Sequence, residues 1–199
     1  MDFIKNWFGP NIPVEYVIGS FIVLCLIILL GGAFFKGDGV KRFILLSLCC
    51  EYYFLVLCST VILRTVKDTH LTEFMPFWNY MDIWNKKDHP NDLIEVILNI
   101  VMFIPIGLLI SSGIRNVKWW HVAIAGCCLS LIIEVLQFVT GKGLCETDDL
   151  IHNTLGACVG WVLYNMIRKV IAYASVIRPT TYRRNLCHGE GVSSSQNEL

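Results

Sequence analysis

Five apolar stretches, each about as long as a bilayer is thick, constrain this chain more than anything else in it. They lie near Val14–Phe35, Phe43–Leu63, Leu93–Gly113, Trp119–Val139 and Leu150–Ile167. A hydrocarbon core needs about 20 mostly apolar residues per crossing helix. In lipid every backbone N–H and C=O must be satisfied within the segment itself, so a run of this kind folds as a helix. The expected class is therefore all-α, a polytopic membrane helix bundle of about five transmembrane helices. Composition agrees: 55% of the 199 residues are hydrophobic and 16% are charged, against about 25% charged in soluble domains. The formal net charge is zero, so no global field points to nucleic acid.

The first run is too long for a signal-peptide core. It has no strongly basic start and no small-x-small cleavage site, so it reads as a permanent helix. Seven of the nine cysteines, Cys25, Cys49, Cys50, Cys58, Cys127, Cys128 and Cys158, fall inside apolar runs. There cysteine acts as a small hydrophobe. Cys145 and Cys187 lie in different loops and no C-x-x-C pair exists. A disulfide framework, a metal site and a cofactor are therefore not expected.

Orientation follows from the basic residues. With the N-terminus outside, the inner segments hold Lys36, Lys41, Arg42, Arg115, Lys118, Arg168, Lys169, Arg178, Arg183 and Arg184, ten of the sixteen Lys and Arg. The positive-inside rule favours that arrangement, with the C-terminus cytoplasmic. Residues 1–13 form an outer N-terminus, and residues 171–199 a cytoplasmic tail that is polar and disordered at its end. The longest outer loop, Arg64 to Asp92, carries Phe74, Phe77, Trp78, Tyr80 and Trp84. Aromatics at this density suit the membrane interface; they also suit a lid over an outward-facing pocket.

Against this apolar background a few polar groups stand out. Charged side chains within a membrane helix are costly and usually face a partner or a cavity. Glu134 and Gln137 sit at one end of the fourth run, and Asp148, Asp149 and Asn153 open the fifth. At about 1.5 Å rise per residue, Glu134, Asn153 and Asn99 lie roughly 8, 7 and 10 Å below the outer ends of their helices. Residues three or four apart share a helix face. Asp92, Glu95 and Asn99 form one stripe; Gly126, Ser130, Glu134 and Gln137 a second; Asp149, Asn153, Gly156 and Gly160 a third. Three stripes at one depth predict a shared polar site. Glu134 has no basic neighbour in its own helix, so it is protonated, paired with a residue such as Lys142, or open to a wet cavity. Asp148 and Asp149 also suit the positive end of the helix dipole. Asn99 and Asn153 can hydrogen-bond across helices. Glu51 lies deeper, with no evident partner. Pro105, followed by Gly107, predicts a kink in the third helix. Gly156 and Gly160 predict close helix packing and a possible face for an oligomer.

Four blocks in this order resemble the VanZ-like family, which is associated with teicoplanin resistance. They are Asn99-x-x-x-Phe103-x-Pro105-x-Gly107, Glu134-x-x-Gln137, Gly141-Lys142-Gly143 and Asp148-Asp149-x-x-x-Asn153-Thr154-x-Gly156. The resemblance is clearest over residues 76–160, within a membrane domain at 14–170. It implies a multi-pass protein of the bacterial cell membrane that lowers sensitivity to glycopeptide antibiotics. It implies binding residues at Asn99, Glu134, Gln137, Lys142, Asp148, Asp149 and Asn153, and structural ones at Pro105, Gly107, Gly156 and Gly160. Lys142 stands where the family often has Arg, which keeps the charge but loses the two-pronged contact. The expected partner is a membrane lipid or a lipidated glycopeptide, held by an outer-leaflet pocket. The alternatives are an intramembrane enzyme acting on an envelope lipid, with Glu134 and Asp149 as acid and base or a carboxylate cluster holding a divalent cation, or a lipid or small-molecule transporter. No nucleophile motif or phosphate loop favours the enzyme.

Overall fold

The computed structural model describes residues 13–32, 34–64, 72–73, 92–143 and 145–190. The aromatic loop residues Phe74 to Trp84, residues 1–12 and the last residues, 191–199, lie outside that set. The elements run α1 (Val14–Gly32), α2 (Asp38–Leu57), a π-helical turn (Cys58–Ile62), β1 (Thr72–Glu73), α3 (Asp92–Gly113), α4 (Trp119–Thr140), β2 (Cys145–Glu146) and α5 (Thr147–Glu190). Among the described residues, five helices are long and apolar enough to cross a membrane. The chain is an all-α, multi-pass membrane protein. It divides into two compact units, Met1–Val162 and Leu163–Leu199.

The first unit is organised in the way lipid demands. Large apolar side chains such as Leu29, Leu30, Val139 and Val101 face outward. The interior mixes a hydrophobic cluster, including Phe103, Ile106, Val122, Ile133 and Ala157, with buried Asn99, Ser111, Ser130, Glu134, Gln137, Asp148, His152 and Asn153. Lipid tails are as apolar as leucine, so helices gain little by hiding leucine from them. Close packing and interhelical hydrogen bonds hold the bundle instead.

Glycine makes the closest approach possible. A Cβ on Gly156 would fall on Ile100 O, and one on Gly160 on Ile104 O, with Leu108 N only 2.7 Å away. From the other side, a Cβ on Gly107 would collide with Ala157 O. Helices α3 and α5 therefore touch backbone to backbone. The chain's own α3 thus lies against the Gly156/Gly160 face. Gly126 brings α4 onto the same helix, where its Cβ would lie 2.7 Å from Ala157 Cβ. Two tyrosines of α2 complete the set, with Tyr52 Oη donating to Met102 O at 3.0 Å and Tyr53 Oη to Leu129 O at 2.7 Å. Helix α3 runs through Pro105 as one helix from Asp92 to Gly113. Helix α1 packs against α2, and Leu24 is its buried residue.

Local signals set the ends. Helix α4 starts after Lys118, whose backbone N–H donates to His121 Nδ1 at 3.1 Å. It stops at Gly141 in the left-handed conformation, φ 63°. Lys142 N–H reaches back to Gln137 O at 3.1 Å, a glycine-terminated cap. The turn between α3 and α4 uses Asn116 at φ 55°, a residue type that tolerates this region. Beyond the glycine cap, β2 pairs in parallel with β1, Cys145 opposite Thr72 and Glu146 opposite Glu73. The second unit is the later part of α5, where Arg168 stands 5.7 Å from the centroid of the Tyr164 ring. Residues 171–190 continue this helix.

Candidate functional site

The site is assembled at the bundle end that holds the π-helical turn, the start of α3, the end of α4 and the start of α5. A small cavity of about 80 Å³ lies there, lined by Thr60, Arg64, Glu95, Asn99, Met102, Ile133, Glu134, Gln137, Glu146, Asp149 and Asn153. Helix α3 supplies Glu95, Asn99 and Met102 from one stripe, α4 supplies Ile133, Glu134 and Gln137, and α5 supplies Asp149 and Asn153. The stripes legible in the sequence thus converge on one space.

Each polar side chain is held by a specific contact. Asn99 Nδ2 donates to Asp149 Oδ1 and ties α3 to α5. Asn153 Nδ2 donates to Ser130 Oγ at 2.9 Å and ties α5 to α4. Glu134, 3% exposed, accepts at Oε2 from the backbone N–H of Glu146 at 2.9 Å. That contact ties Glu146, just ahead of α5, to α4 beside the cavity. Gln137 Nε2 donates to Thr60 O at 3.1 Å.

This last bond explains the π-helical turn. Leu63 N–H bonds to Cys58 O at 3.0 Å across the wider turn. Such turns recur at functional sites because they free backbone groups from the helical ladder. Here the carbonyl of Thr60 accepts from Gln137 and that of Ile62 from Lys142 Nζ at 2.7 Å.

Four carboxylates, from Glu95, Glu134, Glu146 and Asp149, line the cavity together with one cationic side chain, Arg64. Arg64 is within electrostatic reach of both Glu134 and Asp149. No three His, Cys, Asp or Glu side chains among the described residues gather as metal ligands do. Just outside the helices, burial and then the carboxylates of Glu134, Asp149 and Glu146 raise the Cys145 thiol above its ordinary value.

Five of the expected binding residues, Asn99, Glu134, Gln137, Asp149 and Asn153, line the cavity. Two stand apart from it. Lys142 caps the π-helical turn at Ile62 O rather than pairing with Glu134. Asp148 is buried but lies within reach of His152, one helical turn on, and it is Asp149, not Asp148, that lines the cavity. Sequence reasoning missed Thr60 and Arg64, which arrive from a distant helix end by tertiary packing alone. Glu95 was visible on the Asn99 stripe, and Glu146 sits just ahead of the aspartate pair. Glu51 is half-buried on α2, beside a groove shared with Glu15, Tyr16 and Ser20 of α1. Its Oε1 has no hydrogen-bond partner among the described residues.

These features define a class: a multi-pass membrane helix bundle with an acid- and amide-lined cavity at one end. More particularly, the family model for VanZ/LLP1 matches residues 43–168, and the chain belongs to that family. The match runs from within α2 to within α5 and leaves α1 outside. Protein VanZ of Enterococcus faecium is 33% identical over 75 residues, 38% of this chain and 47% of that protein. The chain thus spans about half the length of this curated relative. No solved structure matches it.

Proposed function

We propose that this VanZ-family protein acts in the bacterial cell membrane to lower sensitivity to glycopeptide antibiotics of the teicoplanin type. It does so by engaging an amphiphile, a lipidated glycopeptide or an envelope lipid, at the outer leaflet. The observation that carries the reading is the cavity itself. Glu134, Asp149, Asn99 and Asn153 come from three helices and surround a space rather than packing it shut. Polar groups in a membrane interior are expensive and tend to be functional. At about 80 Å³ the cavity takes one small polar group, so the rest of an amphiphile lies against the apolar outside of the bundle. The topology that suits this reading puts the N-terminus outside and the C-terminus in the cytoplasm, as the basic residues favour.

The test is antibiotic susceptibility of a sensitive host expressing the full chain. Glu134→Gln and Asp149→Asn are expected to abolish protection with membrane abundance unchanged. Full protection from both variants overturns the proposal. A second reading, an intramembrane enzyme on an envelope lipid, is favoured by Glu134 and Asp149 lining the same cavity. Two carboxylates in different surroundings can divide the roles of acid and base. Mass spectrometry of lipid extracts from deletion and overexpression strains decides it, and identical extracts exclude catalysis on lipid.

A further inference from the structure

The cavity's hydrogen-bonding inventory is lopsided. Each of its amide nitrogens already donates once, Asn99 Nδ2 to Asp149, Gln137 Nε2 to Thr60 O, and Asn153 Nδ2 to Ser130. What faces the space is acceptor-rich, with four carboxylates against one guanidinium. One acceptor among them stands idle. Asn153 is 2% exposed and lines the cavity, yet its Oδ1 has no hydrogen-bond partner among the described residues. Leaving such an acceptor unmet costs the desolvation of that group, and native structures seldom do so without a reason.

The missing counterpart is a small group that donates several hydrogen bonds and carries positive charge. A hard divalent ion asks for six or more oxygens converging on one point, and no such convergence of carboxylates exists among the described residues. The acceptors are instead distributed around the cavity wall. A primary ammonium suits that distribution, because it is a compact charge with three freely rotating donors. The volume, about 80 Å³, is room for a few waters and therefore for one such group.

We propose that the cavity binds the primary ammonium group of an amphiphile, with Glu134, Asp149 and Asn153 Oδ1 as its acceptors. This deepens the amphiphile-binding reading and rests on it. It specifies which end of the amphiphile enters the protein. It also predicts rejection of quaternary ammonium heads, which have charge but no N–H to give.

The experiment uses the full chain in phosphatidylcholine nanodiscs. In one arm phosphatidylethanolamine is added as a minor component, and lipid retained by the released protein is read by native mass spectrometry. In the other, the thermal midpoint is measured with ethylammonium chloride and, separately, with tetramethylammonium chloride. Enrichment of the ethanolamine lipid by about tenfold over choline lipid, the factor one charge-assisted hydrogen bond carries, supports the proposal with a lipid as source. Stabilisation by ethylammonium but not tetramethylammonium supports it with a non-lipid amine as source. Either effect must disappear in Glu134→Gln and Asn153→Leu. Should Asn153→Leu fail to fold, Asn153→Asp serves: it keeps the shape, adds a charge and is expected to increase retention. No selectivity in either arm, or selectivity that survives these variants, overturns the proposal. Loss of protection by Glu134→Gln together with absent amine selectivity would sink this inference and leave amphiphile binding standing.

Discussion

Alanine at Gly160 tests the packing that positions everything else. The added Cβ would overlap Ile104 O, stand 2.7 Å from Leu108 N and 3.0 Å from Gly107 C, whereas ordinary contact begins at 3.4 Å. All three neighbours are backbone of α3, which cannot rotate aside as a side chain can. Helix α5 must therefore back away from α3 along the seam that also holds Gly156 and Gly107. Overpacking of this kind costs about 1–3 kcal/mol, and the bilayer returns nothing, because separated helices meet lipid rather than water. Gly19→Ala is the matched control, since a Cβ there meets nothing within 4 Å. The assay is a denaturant titration of the full chain in mixed micelles, following helicity and tryptophan fluorescence. Gly19→Ala is expected to gain up to about 1 kcal/mol from helix propensity, and Gly160→Ala to fall about 1–3 kcal/mol below that control. Gly156→Ala combined with Gly160→Ala should cost less than the two together, because one displacement relieves both clashes. If Gly160→Ala matches the Gly19→Ala control, the backbone-to-backbone contact between α3 and α5 is wrong, and the geometry of the cavity falls with it.

The same titration should show Phe103→Ala, which empties a site of 0% exposure, losing about 3–5 kcal/mol; a loss under about 1 kcal/mol would mean that the site is not packed as described. Gln137→Leu removes the donor to Thr60 O and is expected to cost about 0.6–1.7 kcal/mol, more than Lys142→Met, whose bond to Ile62 O lies at an exposed position; the reverse order would contradict the anchoring of the π-helical turn by Gln137. The raised Cys145 thiol holds less thiolate at a given pH, so maleimide labelling of Cys145 should need higher pH than a free thiol does. Glu146→Gln removes one of the charges responsible and should shift the labelling profile to lower pH, which peptide mass spectrometry can follow; no shift would count against the charge cluster. Asp148→Asn should retain protection against glycopeptide where Asp149→Asn loses it, and equal loss in both would refute the separation of the two aspartates.

Much of this architecture was legible because membrane solvent makes a simple demand. A run of apolar residues near the length of a bilayer has one way to satisfy its backbone, so five runs meant five helices. Polar residues were equally readable, since each departs from the apolar background and helical spacing assigns it to a face. Helical spacing alone groups Asn99, Glu134, Gln137, Asp149 and Asn153, and all five line the cavity. It failed where a side chain's direction depends on partners. Pairing with Lys142 is one of three states the sequence allows for Glu134, but the Lys142 ammonium bonds the Ile62 carbonyl at the π-helical turn. Glu134 instead accepts from the Glu146 backbone, which no side-chain pattern announces. The Gly156/Gly160 face was read as sticky, which is correct, but stickiness does not say to what.

By itself, then, the sequence determined that the chain is a membrane bundle, which segments cross, and which face of α3, α4 and α5 is polar. These are local properties, set by hydropathy and by the 100° advance of each residue around a helix. Tertiary structure alone decided that α3 covers the glycine face of α5, that Thr60 and Arg64 join the cavity from beyond the end of α2, and that Asn153 Oδ1 has no partner among the described residues. Those outcomes depend on how closely backbones can approach and on which donors are already engaged. Such quantities exist only once helices distant in sequence have been brought together.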